Sequence, residues 1–185
     1  MRKNVMLSDV ASVKRIIHST GFFSEDEVEM AGELVETYLA QGKKSGYRFL
    51  FLEEEDRIIG FACYGEISCT RHRYDLYWIA VDPEEQGKGL GRKILEEVES
   101  EIKGLGGQKV YIETSSRRQY LPTRQFYRAR GYQEEAQLRD FYNWGDNKVI
   151  FSKVLQKAAG AEGKPSGQKR PTKIRKIAIK TQRGI

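Results

Sequence analysis

Apolar residues recur along the first 155 positions with two periods, and the switches between them set an order of elements. Residues 5–7 read as a short first strand, after which Ser8-Asp9 offers a cap and Val10, Val13, Ile16 and Ile17 fall on one helical face before Gly21. Ser24, followed three residues later by Glu27, forms a capping box. It opens a second helix that turns Val28, Ala31, Leu34, Val35, Tyr38 and Leu39 inward and stops at Gln41-Gly42. Residues 47–53 and 57–67 alternate as two antiparallel strands around the acidic turn Glu54-Glu55-Asp56. Residues 76–81 are aromatic, aliphatic and β-branched and are closed by Asp82-Pro83, the pattern of a mostly buried strand ending in a turn.

After that strand come the glycines Gln86-Gly87-Lys88-Gly89-Leu90-Gly91, and residues 92–103 then place Ile94, Leu95, Val98 and Ile102 on one helical face. The glycine-rich stretch 104–107 breaks this helix and residues 109–114 form the next strand, so the helix is a crossover between parallel strands. Pro122 suits the first turn of a short helix, 123–130, ended by Gly131. Residues 132–138 and 148–155 are the last strands, separated by a loop carrying Phe141, Tyr142 and Trp144.

Composition changes this picture at one place, the C-terminus. From Gln156 onward nine Lys and Arg residues face Glu162 alone, a net of +8, which leaves −2 for the rest because the whole chain carries +6. Residues 160–167 mix Gly, Lys, Pro and Ser and bury too little apolar surface to offset chain entropy, so they read as a linker. The expected division is a folded domain, 1–155, and a basic tail, 156–185, that is solvated or meets a weak anionic partner. Cys63 and Cys69 have neither metal-type nor disulfide-framework spacing. No apolar run approaches the length of a membrane span, so a soluble cytoplasmic protein without metal is expected.

A strand, a glycine loop and a helix in that order form a phosphate site, because backbone without Cβ atoms comes close to a ligand and the free N–H groups of the helix's first turn point at it. A nucleoside-triphosphate loop would need Lys-Ser/Thr after the last glycine, where this chain has Arg92-Lys93-Ile94. A dinucleotide fingerprint would start directly after the strand with G-x-G-x-x-G spacing, whereas five residues separate Val81 from Gly87. Glu113, about twenty residues beyond the loop, keeps the dinucleotide reading open.

The stretch Val81 to Arg92 resembles the acyl-coenzyme A loop of the GNAT N-acetyltransferase superfamily, Gln/Arg-x-x-Gly-x-Gly/Ala, and Gln86 to Gly91 match its fixed positions. The element order resembles the GNAT fold over residues 1–155. The resemblance implies an α/β (α+β) domain with a mixed, mostly antiparallel sheet of six to seven strands and flanking helices. It also implies an acetyl-coenzyme A-dependent N-acetyltransferase in which two strands splay apart to admit the pantetheine arm. Coenzyme contacts are then expected from Ile79, Val81, Gln86, Gly87, Lys88, Gly89, Leu90, Gly91 and Arg92.

Phe126-Tyr127-Arg128-Ala129-Arg130-Gly131-Tyr132 resembles the superfamily's Phe-Tyr-x-x-x-Gly-Phe/Tyr signature, in which the tyrosine hydroxyl lies near the coenzyme sulfur. The resemblance makes Tyr127 the general acid and Asp75, at the start of the organising strand, the general base, with Glu66 as substitute. Strand periodicity puts residues 75, 77, 79 and 81 on one face. The family's asparagine and alanine before the tyrosine are Tyr120 and Thr123 here. Arg117, Arg118 and Arg124 suit a substrate carboxylate, and Tyr64, Tyr74, Tyr77 and Tyr142 a flat or apolar group. The expected acceptor is a small amine or amino acid, taken by a monomer or homodimer. The alternatives are a nucleic-acid- or ribosome-associated module acting through the tail and a silent acyl-coenzyme A sensor.

Overall fold

The computed structural model of the protein describes residues 1–155, so the basic tail and its expected partner lie outside the described residues. Four helices, α1 (Asp9–Ser19), α2 (Glu25–Gln41), α3 (Leu90–Gly104) and α4 (Leu121–Ala129), flank one sheet. Its strands are β1 (Tyr47–Glu54), β2 (Arg57–Glu66), β3 (Arg73–Val81), β4 (Lys109–Ser115), β5 (Gln133–Asn143) and β6 (Asp146–Val154). They lie in the order β1-β2-β3-β4-β6-β5, antiparallel except for the parallel pair β3–β4 that α3 connects. The expected mixed, mostly antiparallel sheet of six to seven strands is observed with six among the described residues.

Each sheet face carries its own core. On one side Val13, Ile16 and Ile17 of α1 and Val28 and Val35 of α2 pack on Phe49, Phe51, Phe61, Cys63 and Trp78. On the other, Ile94, Leu95, Val98 and Ile102 of α3 and Tyr127 of α4 pack on Leu50, Ile79, Val81, Ile112 and Phe151. Burial of each large aliphatic side chain stabilises by roughly 1.5–3 kcal/mol, so the helical stripes read from the sequence hold both layers to the sheet. Ser24 makes its capping box with Glu27, its hydroxyl accepting from Glu27 N–H while the Glu27 carboxylate accepts from Ser24 N–H.

Four expectations on the elements change. Leu39, expected to face inward, is 39% exposed on the last turn of α2. Residues 5–7 form no strand; Arg2 instead exchanges backbone hydrogen bonds of 2.8 Å with Phe51 at the β1 edge. Ser8 lends no side chain to α1, whose buried Asp9 accepts from Met6 N–H and from both terminal nitrogens of Arg2. The aromatic loop is part of a long hairpin, since β5 runs through Phe141 and Tyr142 and only Trp144-Gly145 turn between Asn143 and Asp146. Gly145 takes the turn's positive φ of 76°.

Candidate active site

β3 and β4 pair only through Arg73–Lys109, Tyr74–Val110 and Asp75–Tyr111. Beyond Asp75 they part, although β2 accompanies β3 as far as Val81 and β6 accompanies β4 as far as Ser115. A wedge therefore opens within the sheet. Asp82 N–H turns to Ile59 C=O on β2 at 2.8 Å, so by strand alternation the backbone groups of Val81 and Ile79 face the wedge. The wedge leads to a cavity of about 530 Å³ between the glycine loop and α4.

The loop's geometry follows from its glycines. Gly87 and Gly89 adopt φ of 77° and 78°, which only residues without a Cβ take at no cost. Gly89 is the N-cap of α3; no side chain caps this helix and no acidic residue stands in its first turn. Its free N–H groups and positive dipole end face the cavity, which Gly87, Gly89, Leu90, Gly91 and Arg92 line on that side. A Cβ on Gly91 would come no nearer than 3.9 Å to Phe126 and Val81, so the cavity stays open there because position 91 carries no side chain.

The expected loop residues divide by role. Gln86 lines the cavity, but its amide donates to Val81 C=O at 3.1 Å and ties the loop back to the strand end. Lys88 is held by Glu85 at 2.6 Å and Arg92 by Glu96 at 2.7 Å, so backbone N–H groups carry most of the pull on an anion. The opposite wall comes from α4: Pro122, Thr123, Phe126 and Arg130. Arg130 Nε is buried without a hydrogen-bond partner and the guanidinium lies 5.6 Å from the Phe126 ring. Sequence reading singled out neither Arg130 nor Phe126 as a cavity residue. Their spacing, four residues on a short helix, was the available signal.

Tyr127 sits behind Phe126, 3% exposed, against the rings of Tyr132 and Phe151. Burial pushes its phenol well above the ordinary tyrosine range. It is a core residue by packing, one position from the cavity wall.

Asp75 does not share a face with Ile79 and Val81. The β2–β3 register shifts between Cys63 and Tyr64, with Cys63 opposite Trp78 and Tyr64 opposite Leu76, so Tyr77 is an extra residue without a partner. This bulge reverses the side-chain alternation. Ile79 and Val81 face α3 and α4, whereas Tyr77, Trp78 and Ala80 face α1 and α2, and Asp75 falls on the Tyr77 side by its spacing of two. The strict period of two fails there because the bulge adds one residue at the mouth of the wedge. Asp75 and the α3 terminus thus approach the wedge from opposite sides of the sheet. Glu66, the substitute base, is exposed and pairs with Tyr74, one register step from Asp75.

Burial raises the Asp75 carboxyl most, the Glu113 charge adds to the rise and Lys148 opposes it, which brings it to about 7. Two of the three arginines expected to hold a carboxylate are engaged within the chain. Arg117 pairs with Asp146 at 3.3 Å, and Arg124 donates to Ser115 and Arg117 carbonyls at 2.7 and 3.0 Å; Arg118 is exposed.

A family model for the acetyltransferase (GNAT) domain matches residues 45–134. No curated protein matches the chain. Among solved structures, a Desulfovibrio desulfuricans protein described as an acetyltransferase of the GNAT family is 44% identical, with a TM-score of 0.83 over 84% of this chain and 98% of that one. The ribosomal-protein-S18-alanine N-acetyltransferase of Escherichia coli is 20% identical, with a TM-score of 0.67 over 88% of this chain and 97% of that one. A Salmonella typhimurium protein described as an acetyltransferase, solved with its cofactor acetyl-CoA, is also 20% identical, with a TM-score of 0.67 over 87% and 96%. Among the described residues no helix is long and apolar enough to cross a membrane, and no group of three His, Cys, Asp or Glu side chains could hold a metal.

Proposed function

The chain belongs to the GNAT family of acetyltransferases, and we propose that it transfers the acetyl group of acetyl-coenzyme A to a primary amine, by direct attack and within residues 1–155. The observation that carries this reading is the wedge between β3 and β4. It starts at Asp75, a carboxylate poised near neutrality, and leads to a cavity closed by an uncapped helix terminus.

The coenzyme supplies an activated thioester and a thiolate leaving group. Backbone N–H groups from Gly87 to Arg92 hold its pyrophosphate, with Arg130 facing them across the cavity. The wedge-facing N–H groups of Ile79 and Val81 bond the arm and polarise the carbonyl. Asp75, on the other side of the sheet, takes a proton from the acceptor ammonium, directly or through water. A base with a pKa near 7 is matched to that task at neutral pH.

Tyr127 donates to the departing sulfur. Its phenol holds its proton tightly because it is desolvated, and the same apolar surroundings raise the proton affinity of a thiolate beside it. The acceptor is a small amine with an apolar or flat body, which Tyr77 and Tyr142 suit. An amino acid is the weaker choice, because Arg117 and Arg124 already have partners in the chain.

The test is a panel of amines, amino acids and peptide N-termini assayed for coenzyme A thiol release. Turnover with small amines is expected. Turnover confined to peptide N-termini would replace the acceptor assignment, and tight acetyl-coenzyme A binding without any turnover would leave a sensor.

A further inference from the structure

Asp75 shares its side of the sheet with an ion pair drawn from two other strands. Glu113 lies two positions beyond Tyr111, the register partner of Asp75, and so on the same face of β4. Lys148 of β6 stands opposite Ser115, and its Nζ is 2.6 Å from Glu113 Oε2, off the direction of an aligned hydrogen bond. The lysine side chain is 7% exposed and the glutamate 21%. Nζ also sits 3.7 Å from the centre of the Phe141 ring and 5.9 Å from that of Tyr142. The cation is thus sealed beneath two aromatic rings, while the carboxylate keeps an open edge. Burying such a pair contributes little net stability, because desolvation offsets the attraction.

We propose that the Glu113–Lys148 pair is a positioning device for the acceptor side, presenting Asp75 with two opposed charges whose balance neither residue supplies alone. This rests on the reading of Asp75 as the base.

The groups that face Asp75 can be named strand by strand. On β3, Tyr77 lies two residues ahead, and Arg73 two residues back is turned to Gln108 Oε1 at 3.0 Å. On β2 the register partner is Gly65, which carries no charge. Tyr47 of β1 stands behind Tyr77, their rings 5.5 Å apart. From β4 come Tyr111 and Glu113, together with Lys109 on the same face, which Glu135 holds at 2.6 Å, and from β6 Lys148. The charges that move Asp75 are those of Glu113, upward, and Lys148, downward, on top of the rise that burial causes.

Breaking the pair from either end must therefore move Asp75 in opposite directions. Glu113→Gln leaves the lysine charge unopposed and lowers the acidic limb of the kcat/KM profile by on the order of one pH unit. Lys148→Met leaves the glutamate unopposed and raises that limb by a similar amount. Glu113→Asp and Lys148→Arg keep both charges and should keep the profile. A structural brace would instead give losses without a shift, or shifts of one sign. Carboxyl carbon NMR of the folded variants reads the Asp75 titration without turnover, so it judges the pair even where activity is lost. Opposite shifts in both readouts support the proposal; an Asp75 titration unmoved, or moved the same way, by both variants overturns it. Full turnover of Asp75→Asn from pH 6 to 9, by contrast, would remove the base assignment while leaving the field measurement standing.

Discussion

Arg15 on α1 and Asp82 at the end of β3 are joined at 2.6 Å, 67 positions apart in sequence. The same Asp82 oxygen accepts from Arg57 at 2.6 Å, and Arg15 also donates to Ile58 C=O, so α1, the β1–β2 turn and the root of the glycine loop meet at one buried carboxylate. Burial alone would raise its pKa, but the Arg15 bond, the Glu84 N–H and the two arginine charges outweigh burial and lower it. Stability from this depressed carboxylate is present above its unfolded value of about 4 and is lost as pH falls through the folded value. Asp82→Ala is expected to cost about 1–3 kcal/mol at pH 7, the partners being partly exposed. Asp82→Asn should flatten the acid side of the stability curve; thermal melts from pH 3 to 8 make the comparison.

Gly91→Val places a branched side chain where the cavity is open, at a helical position without positive φ. Coenzyme A affinity should fall at least about tenfold, roughly 1.4 kcal/mol, with the melting temperature close to that of the wild type. Gly89→Val, at φ 78°, should destabilise the protein as well, by about 1–2 kcal/mol. Calorimetric titration and melts of both variants separate a blocked cavity from a strained loop.

Asp75→Asn should trade activity for stability. A half-buried carboxyl with a pKa near 7, against about 4 unfolded, weakens the folded state progressively as pH rises from 4 to 7, and the full penalty, roughly 2–4 kcal/mol, stands above that. The neutral amide carries no such penalty. The variant should therefore melt higher than wild type at pH 8 and alike at pH 4. Its turnover should drop at pH 7 and recover in part as rising pH deprotonates the amine unaided.

Tyr127→Phe should keep coenzyme affinity and lose on the order of ten- to a thousandfold in kcat, with no recovery at any pH. Its neighbours are rings, so removal of one hydroxyl leaves the packing intact. Full turnover in the variant would reduce the tyrosine to a core residue.

Truncation after Leu155 should leave melting temperature and transfer rate nearly unchanged, because the composition of the tail adds too little apolar surface to a core. Any salt-sensitive affinity for nucleic acid should go with the tail. Failure of residues 1–155 to fold would make the tail part of the domain.

Local sequence pattern was enough for the helices, for their inward faces apart from Leu39, for the β1–β2 hairpin, for the crossover and for the glycine loop at the start of α3. These are properties of neighbouring residues: a helical stripe, a capping box, or a glycine at positive φ is settled within a few positions. The assembly of the site follows instead from contacts between distant segments. One extra residue at Tyr77 reversed the side-chain alternation and put Asp75 on the opposite side of the sheet from Val81. The pairing of β4 with β6 brought Lys148 to Glu113, and the packing of α1 brought Arg15 to Asp82. The seating of α4 over the loop turned Phe126 and Arg130 into a cavity wall. A bulge is a choice made by the partner strand, and contacts between distant residues depend on register and docking, neither of which is encoded in the period of any one segment.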